Sequence, residues 1–360
     1  MNFASDNGAG VAPEILEAIA SSARVNAPAY GADEYSLRAE ARLSEIFERK
    51  VAAFLVATGT AANALALSAL ARPWEAIFCH EEAHVHDDEC GAPELFSGGA
   101  KLVGIAGEGG KIDEASFRET LARFPRGLVK SFQPGALSLS QATEAGLVYR
   151  ADEIAQLSEA ARAAGIGVHM DGARFANALV ALGLSPAEMT WRAGVDVLSF
   201  GATKNGALAC EAVVFFDPAR AADFAYRRKR GGHTLSKGRF LGAQMEAYLK
   251  DGLWLRLAEH ANGAAKRLSA ALMKAPGVRI AWPTEANEVF AVAPDATVAA
   301  WRVAGARLND WTTGSLAADR APRQGETLVR LVASFETGPD EIDRLVALCP
   351  RIGTEAAAAP

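Results

Sequence analysis

The chain has 360 residues, half of them hydrophobic and 22% charged, with a formal net charge of −6. That is room for one large domain or two, in the composition of an ordinary globular protein. The acidic balance argues against nucleic acid or another polyanion as partner, because the one basic run, Arg227-Arg228-Lys229-Arg230, is too short to reverse it.

Residues 13–22 put Ile15, Leu16, Ile19 and Ala20 on one helical face with Pro13 in the first turn, and residues 36–48 repeat the pattern through Leu37, Ala41, Leu43, Ile46 and Phe47. A short apolar strand is predicted at 52–57, broken by Thr58-Gly59-Thr60, and an Ala- and Leu-rich helix at 61–71. Further strands are predicted at 76–79, 101–105, 128–132, 167–170, 195–200 and 212–216, with helices at 113–123, 151–164 and 186–193. This alternation predicts an α/β fold, a large domain with a mostly parallel seven-stranded sheet flanked by helices. Residues 241–272 read as one long helix or two abutting ones. Strands at 278–282, 288–293 and 327–334, with helices at 296–304 and 340–348, then form a smaller α+β unit. The expected division is 1–245 for the large domain, its N-terminal segment contributing to the site, 246–350 for the small C-terminal domain, and a tail over 351–360.

Four cysteines without C-x-x-C spacing suggest neither a disulfide framework nor a thiolate metal site, and fit a reducing compartment. The first residues lack the basic region and apolar core of a signal peptide, and no apolar stretch approaches the roughly 20 residues a membrane span needs. The expectation is a soluble, cytoplasmic protein without a membrane partner.

Two charged residues sit at or just past predicted strand ends, Asp171 in His-Met-Asp-Gly-Ala-Arg and Lys204 in Ser-Phe-Gly-Ala-Thr-Lys-Asn-Gly. In open α/β sheets that is where ligands bind. An acid and an amine there suit pyridoxal phosphate, with Lys204 forming a Schiff base and Asp171 keeping the pyridinium nitrogen protonated; the plain alternative is a buried salt bridge. Gly59 and Thr60, between a strand and a helix, make a phosphate cradle, the backbone N–H groups exposed at a positive helix end. Arg174 reads as a turn residue, as a salt-bridge partner of Asp171, or as part of the site. Arg330 lies within an apolar strand; it either faces water at an edge or needs a partner, and an amino-acid carboxylate suits a guanidinium. His80-Glu-Glu-Ala-His84 matches H-E-x-x-H, the signature of a zinc hydrolase. The residues before it look like a strand end, however, and no third ligand follows. A histidine such as His84 just past a strand end is placed to stack on an aromatic cofactor or to act as a base.

Taken in order, eight segments carry a resemblance: Phe-Ala-Ser-Asp-Asn at 3–7, Tyr-Gly-Ala-Asp-Glu at 30–34, Gly-Thr-Ala-Ala-Asn at 59–63, Ala-His-Val-His-Asp-Asp-Glu-Cys-Gly-Ala-Pro-Glu at 83–94, Gln-Ala-Thr-Glu at 141–144, His-Met-Asp-Gly-Ala-Arg-Phe at 169–175, Phe-Gly-Ala-Thr-Lys-Asn-Gly at 200–206 and Leu-Ser-Lys-Gly-Arg-Phe at 235–240. The chain resembles the low-specificity L-threonine aldolases, beta-eliminating-lyase relatives within the aspartate-aminotransferase-like fold of pyridoxal-phosphate enzymes. The resemblance implies cleavage of a β-hydroxy-α-amino acid of the L-threonine or L-allo-threonine type to glycine and an aldehyde. It implies Lys204 as the cofactor lysine, Asp171 as partner of the ring nitrogen, Gly59 and Thr60 as phosphate binders and His84 stacked on the ring. It implies an arginine lent to the phosphate by a neighbouring subunit, Arg228 being the choice and Arg227 and Lys229 its competitors. Ser5, Arg174 and Arg330 match the positions that hold the substrate carboxylate, with Arg174 also close to the cofactor. For the base that takes the β-hydroxyl proton, His84 is the candidate, with Glu89, Glu144 and His86 as helpers or rivals. His86 and Leu147 depart from the usual residue types and bear on substrate range. The implied assembly is a homo-oligomer, dimer or tetramer, with shared sites. The competing readings are another β-hydroxy amino acid such as phenylserine, a β-eliminating lyase, a transaminase, and the zinc hydrolase of His80 and His84.

Overall fold

The computed structural model describes residues 1–349, so the tail expected over 351–360 lies outside the described residues. Among them the strands form two sheets. The first contains β1 (Ala52–Val56), β2 (Glu75–His80), β3 (Lys101–Ile105), β4 (Gln133–Ser140), β5 (Gly167–Gly172), β6 (Val197–Gly201) and β7 (Glu211–Phe215), in the spatial order β3-β2-β4-β5-β6-β7-β1. From β3 to β6 every neighbouring pair is parallel; β7 runs antiparallel to both β6 and β1. The strands are apolar along their length because helices cover both faces of the sheet, and β6 and β7 are buried from end to end.

This order brings five chain segments to one rim. Ser140, Asp171 and Ser199 are laterally paired near the carboxyl ends of β4, β5 and β6. Because β7 is reversed, its first residue, Glu211, pairs with Gly201 on one side and Val56 on the other. The end of β1, leading into Thr58-Gly59-Thr60, therefore reaches the same rim as Lys204.

Two expectations are corrected. The predicted strand at 128–132 is a turn, with Val129 fully exposed, and the strand lies at Gln133–Ser140. Pro134 and Gly135 disguise its start. Gly135 is an extra residue in the ladder, where Ala76 pairs with Pro134 and Ile77 with Ala136, and a Cβ on it would lie 2.7 Å from that of Glu75. The predicted helix at 186–193 reduces to the short turn Trp191–Ala193, and the helix of this crossover is Phe175–Leu182, directly after β5. Residues 241–272 hold two helices, Arg239–Leu249 and Leu253–Leu272, broken where Asp251 and Gly252 take positive φ.

The second sheet comprises β8 (Arg279–Ile280), β9 (Glu288–Pro294), β10 (Asn309–Asp310) and β11 (Glu326–Val332), antiparallel in the order β10-β11-β9-β8. Helix Leu253–Leu272 joins the two cores. Trp254 packs against Phe200 at 5.6 Å between ring centroids, whereas Leu268 and Leu272 belong to the small core. The N-terminus is tied to the small unit, with Phe3 buried in its core and Val332 N–H donating to Phe3 O at 2.8 Å. No helix among the described residues is long and apolar enough to cross a membrane.

Candidate active site

The rim encloses a cavity of about 270 Å³ whose lining includes Gly59, Thr60, His84, Glu144, Asp171, Arg174 and Lys204. Its floor at one end is the start of helix Gly59–Leu70. Thr58 caps that helix, its hydroxyl accepting from Ala61 N–H at 3.2 Å and its carbonyl from Ala62 N–H at 3.1 Å. Capping uses the third and fourth amides and leaves those of Gly59 and Thr60 at the positive end of the helix. A Cβ built on Gly59 meets no atom within 4 Å, so the glycine keeps this end open.

One helical turn further on, Asn63 Nδ2 donates to Asp171 Oδ2 at 2.8 Å and to Glu89 Oε1 at 2.8 Å. Asp171 Oδ1 accepts from Ala173 N–H at 3.0 Å. Glu89 Oε1 also lies 2.9 Å from His84 Nδ1, so Asp171, Asn63, Glu89 and His84 form one continuous chain of hydrogen bonds. The bond to Glu89 raises the His84 pKa against the effect of burial. Burial pushes the Glu89 carboxyl up, opposed by His84 and Asn63. Beneath Asp171, His169 bridges Ser138 and Ser199 at 2.9 Å each, and burial lowers its pKa to about 4.

Lys204 sits in the turn Thr203–Asn205 after β6, and that turn is held from several sides. Asn205 Nδ2 donates to Tyr248 Oη and to Trp254 O, both at 2.8 Å. Ala12 N–H donates to Gly206 O at 2.9 Å. Gly206 has φ 110° and lies close enough to Ala12 and Leu257 that a side chain there would be crowded as well as strained. Glu211 accepts from Ala202 N–H at 2.7 Å; burial pushes its carboxyl up to about 7, opposed by Thr203 and Lys204.

Arg174 pairs with Asp6, not with Asp171. Its Nε and Nη2 donate to the two Asp6 oxygens at 2.8 and 3.0 Å, and Asn287 Nδ2 donates to Asp6 Oδ2 at 3.0 Å. Burial works against ionising Asp6, and the Arg174 guanidinium overrides it, leaving the carboxyl below its usual range. Arg174 Nη2 also lies 3.4 Å from Glu288 Oε1, and Arg330 Nη1 lies 3.9 Å from the same oxygen. Arg330 is not a solvated edge residue: its guanidinium rests 4.3 Å from the centroid of the Trp311 ring and its side chain is largely buried.

Other expected residues fall elsewhere. Ser5 caps the turn Asp6–Gly8, accepting from Asn7 N–H at 3.1 Å; Asn7, not Ser5, lines the cavity. His86 is exposed and lies beside Gly104 on β3, off the cavity. It follows His84 by two positions on a helical turn, about 200° around the axis, so both cannot face the same way. Arg228 lies in a different pocket with Tyr30, Phe54 and His233, its guanidinium 5.4 Å from the Phe54 ring centroid. His233 Nδ1 accepts from Ala57 N–H at 3.3 Å where the two pockets adjoin. The H-E-x-x-H reading fails on geometry. His80 ends β2 and His84 opens the next helix, so the two do not share a helix face, and both His80 ring nitrogens bind backbone, Gly107 O at 3.0 Å and Glu82 N–H at 3.1 Å.

Asp6, Asn63, Glu211 and Glu288 were not picked out from the sequence. Glu288 and Glu211 carried the signal that marked Arg330, a charge inside or abutting an apolar strand. Asp6 and Asn63 stand inside segments already noted, but nothing local names their partners.

A family model described as beta-eliminating lyase matches residues 2–296. The chain is 45% identical to a low-specificity L-threonine aldolase of Pseudomonas aeruginosa over 343 residues, 95% of each chain, and 46% identical to one from another Pseudomonas strain over 288 residues, 80% of this chain and 83% of that protein. The structure superposes on a solved threonine aldolase from Leishmania major with a TM-score of 0.88 at 28% identity, covering 96% of this chain and 98% of the other. A serine palmitoyltransferase from Sphingomonas wittichii, at 15% identity and a TM-score of 0.68, shares the fold.

Proposed function

The chain belongs to the beta-eliminating lyase family, and on that premise we propose that it cleaves β-hydroxy-α-amino acids of the L-threonine type to glycine and an aldehyde, with pyridoxal phosphate as cofactor. The observation that carries this reading is the convergence of Lys204, Asp171, His84 and the open Gly59 helix end on one cavity. These residues fit the cofactor. The free amides of Gly59 and Thr60 suit a phosphate, Asp171 a protonated ring nitrogen, His84 a ring face and the Lys204 amine an aldehyde. Once bound, pyridoxal phosphate supplies an electrophilic carbon for the substrate amine and an electron sink for the pair released when Cα–Cβ breaks.

The protein's own groups do the remainder. Arg174 and Arg330 receive the substrate carboxylate and so orient the bond to be cleaved. Asp171, fixed by Asn63 and Ala173 N–H, presents its carboxylate to the cofactor ring. His84 takes the proton of the β-hydroxyl. With Nδ1 bonded to the Glu89 carboxylate, the ring proton resides there, Nε2 is left to accept, and Glu89 stabilises the imidazolium that forms. Glu144, in the same wall, raises His84 further through its charge.

Homo-oligomeric assembly, as dimer or tetramer, and a cytoplasmic setting belong to the same proposal. Arg228 would serve the phosphate of a neighbouring subunit; a half-buried guanidinium whose pKa is lowered by desolvation, and which forms no ion pair among the described residues, supports that role. The deciding experiment incubates the cofactor-loaded protein with L-threonine, L-allo-threonine and phenylserine and measures glycine and aldehyde. Release of ammonia and a keto acid without glycine would sink the reading.

A further inference from the structure

Glu288 lies on β9 opposite Val332, two residues from Arg330 on the same face of the small sheet. It is 1% exposed, and among the described residues neither carboxylate oxygen has a hydrogen-bond donor. Arg174 and Arg330 stand 3.4 and 3.9 Å from Oε1, within ionic reach but without hydrogen-bond geometry. Asp6, in the same network, accepts three bonds, two from Arg174 and one from Asn287. Glu288 is thus the least compensated anion of the group. The charge count matters as much. Two guanidiniums face the carboxylates of Asp6 and Glu288, so with both acids ionised the set is neutral. A substrate carboxylate would enter as a third anion against two cations, in a buried place where uncompensated charge is costly. Glu144 adds negative charge from the cavity wall, and Lys204 faces Asp6.

Resting on the reading that Arg174 and Arg330 receive the substrate carboxylate, we infer that Glu288 takes up a proton from solvent when that carboxylate docks, becoming a neutral acid, so that the two arginines balance Asp6 and the substrate. The role is one of positioning and selection: the site accepts a single carboxylate at the expense of its own anion. The pressure of burial on this carboxyl runs the same way, against Arg174 and Arg330. A further consequence is that, as pH rises, amino-acid affinity weakens relative to that of a protein lacking this carboxyl.

The test titrates glycine into the cofactor-loaded protein by calorimetry in two buffers of different ionisation heat, comparing wild type with Glu288→Gln and Glu288→Asp. Wild type and Glu288→Asp should take up about one proton more per site than Glu288→Gln, which should bind glycine roughly five-fold tighter near neutral pH. Equal proton counts in all three proteins, or weaker binding by Glu288→Gln, would overturn the inference, because a carboxylate that merely holds the arginines loosens the site when neutralised. Should Glu288→Gln not fold, Glu288→Met takes its place, and a wild-type proton uptake equal to that variant's overturns the inference equally. Arg330→Ala separates the two layers. Glycine affinity unchanged in that variant sinks the carboxylate-site reading itself, whereas equal proton counts with affinity still dependent on Arg330 sink the Glu288 inference alone.

Discussion

Asn63 places a single amide nitrogen 2.8 Å from Asp171 Oδ2 and, on its other side, 2.8 Å from Glu89 Oε1. One neutral donor thereby ties the acid expected at the cofactor ring to the acid that orients His84. Two buried carboxylates close to a common atom repel each other, and the amide is what makes their proximity tolerable. Asn63→Ala should cost about 1–3 kcal/mol of stability and weaken cofactor binding as well. Denaturant unfolding of the cofactor-free protein and equilibrium dialysis against pyridoxal phosphate measure the two effects. No change in either would mean that the bridge is incidental.

The Glu89–His84 pair predicts a pH profile. Glu89 raises the His84 pKa, and a base works only when unprotonated, so wild-type activity is lost on the acid side at a higher pH than an isolated histidine would allow. Glu89→Gln should lower the His84 pKa and move the acid limb of kcat toward lower pH. The plateau should fall by up to roughly 10²-fold as the imidazolium loses its partner. An acid limb that stays in place would assign the titration to another group.

Gly59 separates folding from cofactor binding. It is the first helical residue and has open space where a Cβ would go. Gly59→Ala should therefore leave the cofactor-free protein as stable or up to about 1 kcal/mol more stable. Cofactor affinity should fall roughly ten-fold, equivalent to about 1.4 kcal/mol, because the methyl group intrudes on the cradle. Thermal melts with and without pyridoxal phosphate give both numbers; unaltered affinity would move the phosphate away from this helix end.

His169 is a stability switch at acid pH. Burial depresses its pKa from 6.5 to about 4. Above 6.5 the ring is neutral in both folded and unfolded chains, and its contribution is fully present. As pH falls the unfolded chain binds the proton first, so stability is lost at about 1.4 kcal/mol per pH unit, roughly 3 kcal/mol across the window. His169→Gln should flatten this portion of the curve. Urea midpoints measured from pH 7 downward test it, and an identical slope in the variant would place the titrating group elsewhere.

Much of the fold was legible because its signals are local. Apolar runs bounded by Gly, Thr and Pro marked six strands of the large sheet, and 3.6-residue periodicity marked most helices. β4 was misplaced because Pro134 and Gly135, signs of a turn by themselves, are accommodated by a bulge against β2, while the apolar run before them is left in solvent. The helix Phe175–Leu182 went unread because every residue in it but Asn177 is apolar, so no polar face marks it.

In the site, chain order marked Asp171, Lys204 and Gly59, since each follows a strand or opens a helix, where a parallel sheet exposes its ligand-binding edge, while Arg174 was marked by the family resemblance. Pairing required the folded molecule. Asn63 meets Asp171 only because helix Gly59–Leu70 crosses β5, and Asp6 meets Arg174 only because Phe3 anchors the N-terminus in the small core. Glu288 reaches two arginines because β9 and β11 are adjacent and the small sheet faces the rim of the large one. Side-chain type and local spacing determine which groups can do chemistry. Which groups stand 3 Å apart, and so which charges are compensated, is set by packing between segments distant in the chain, 281 residues in the case of Asp6 and Asn287.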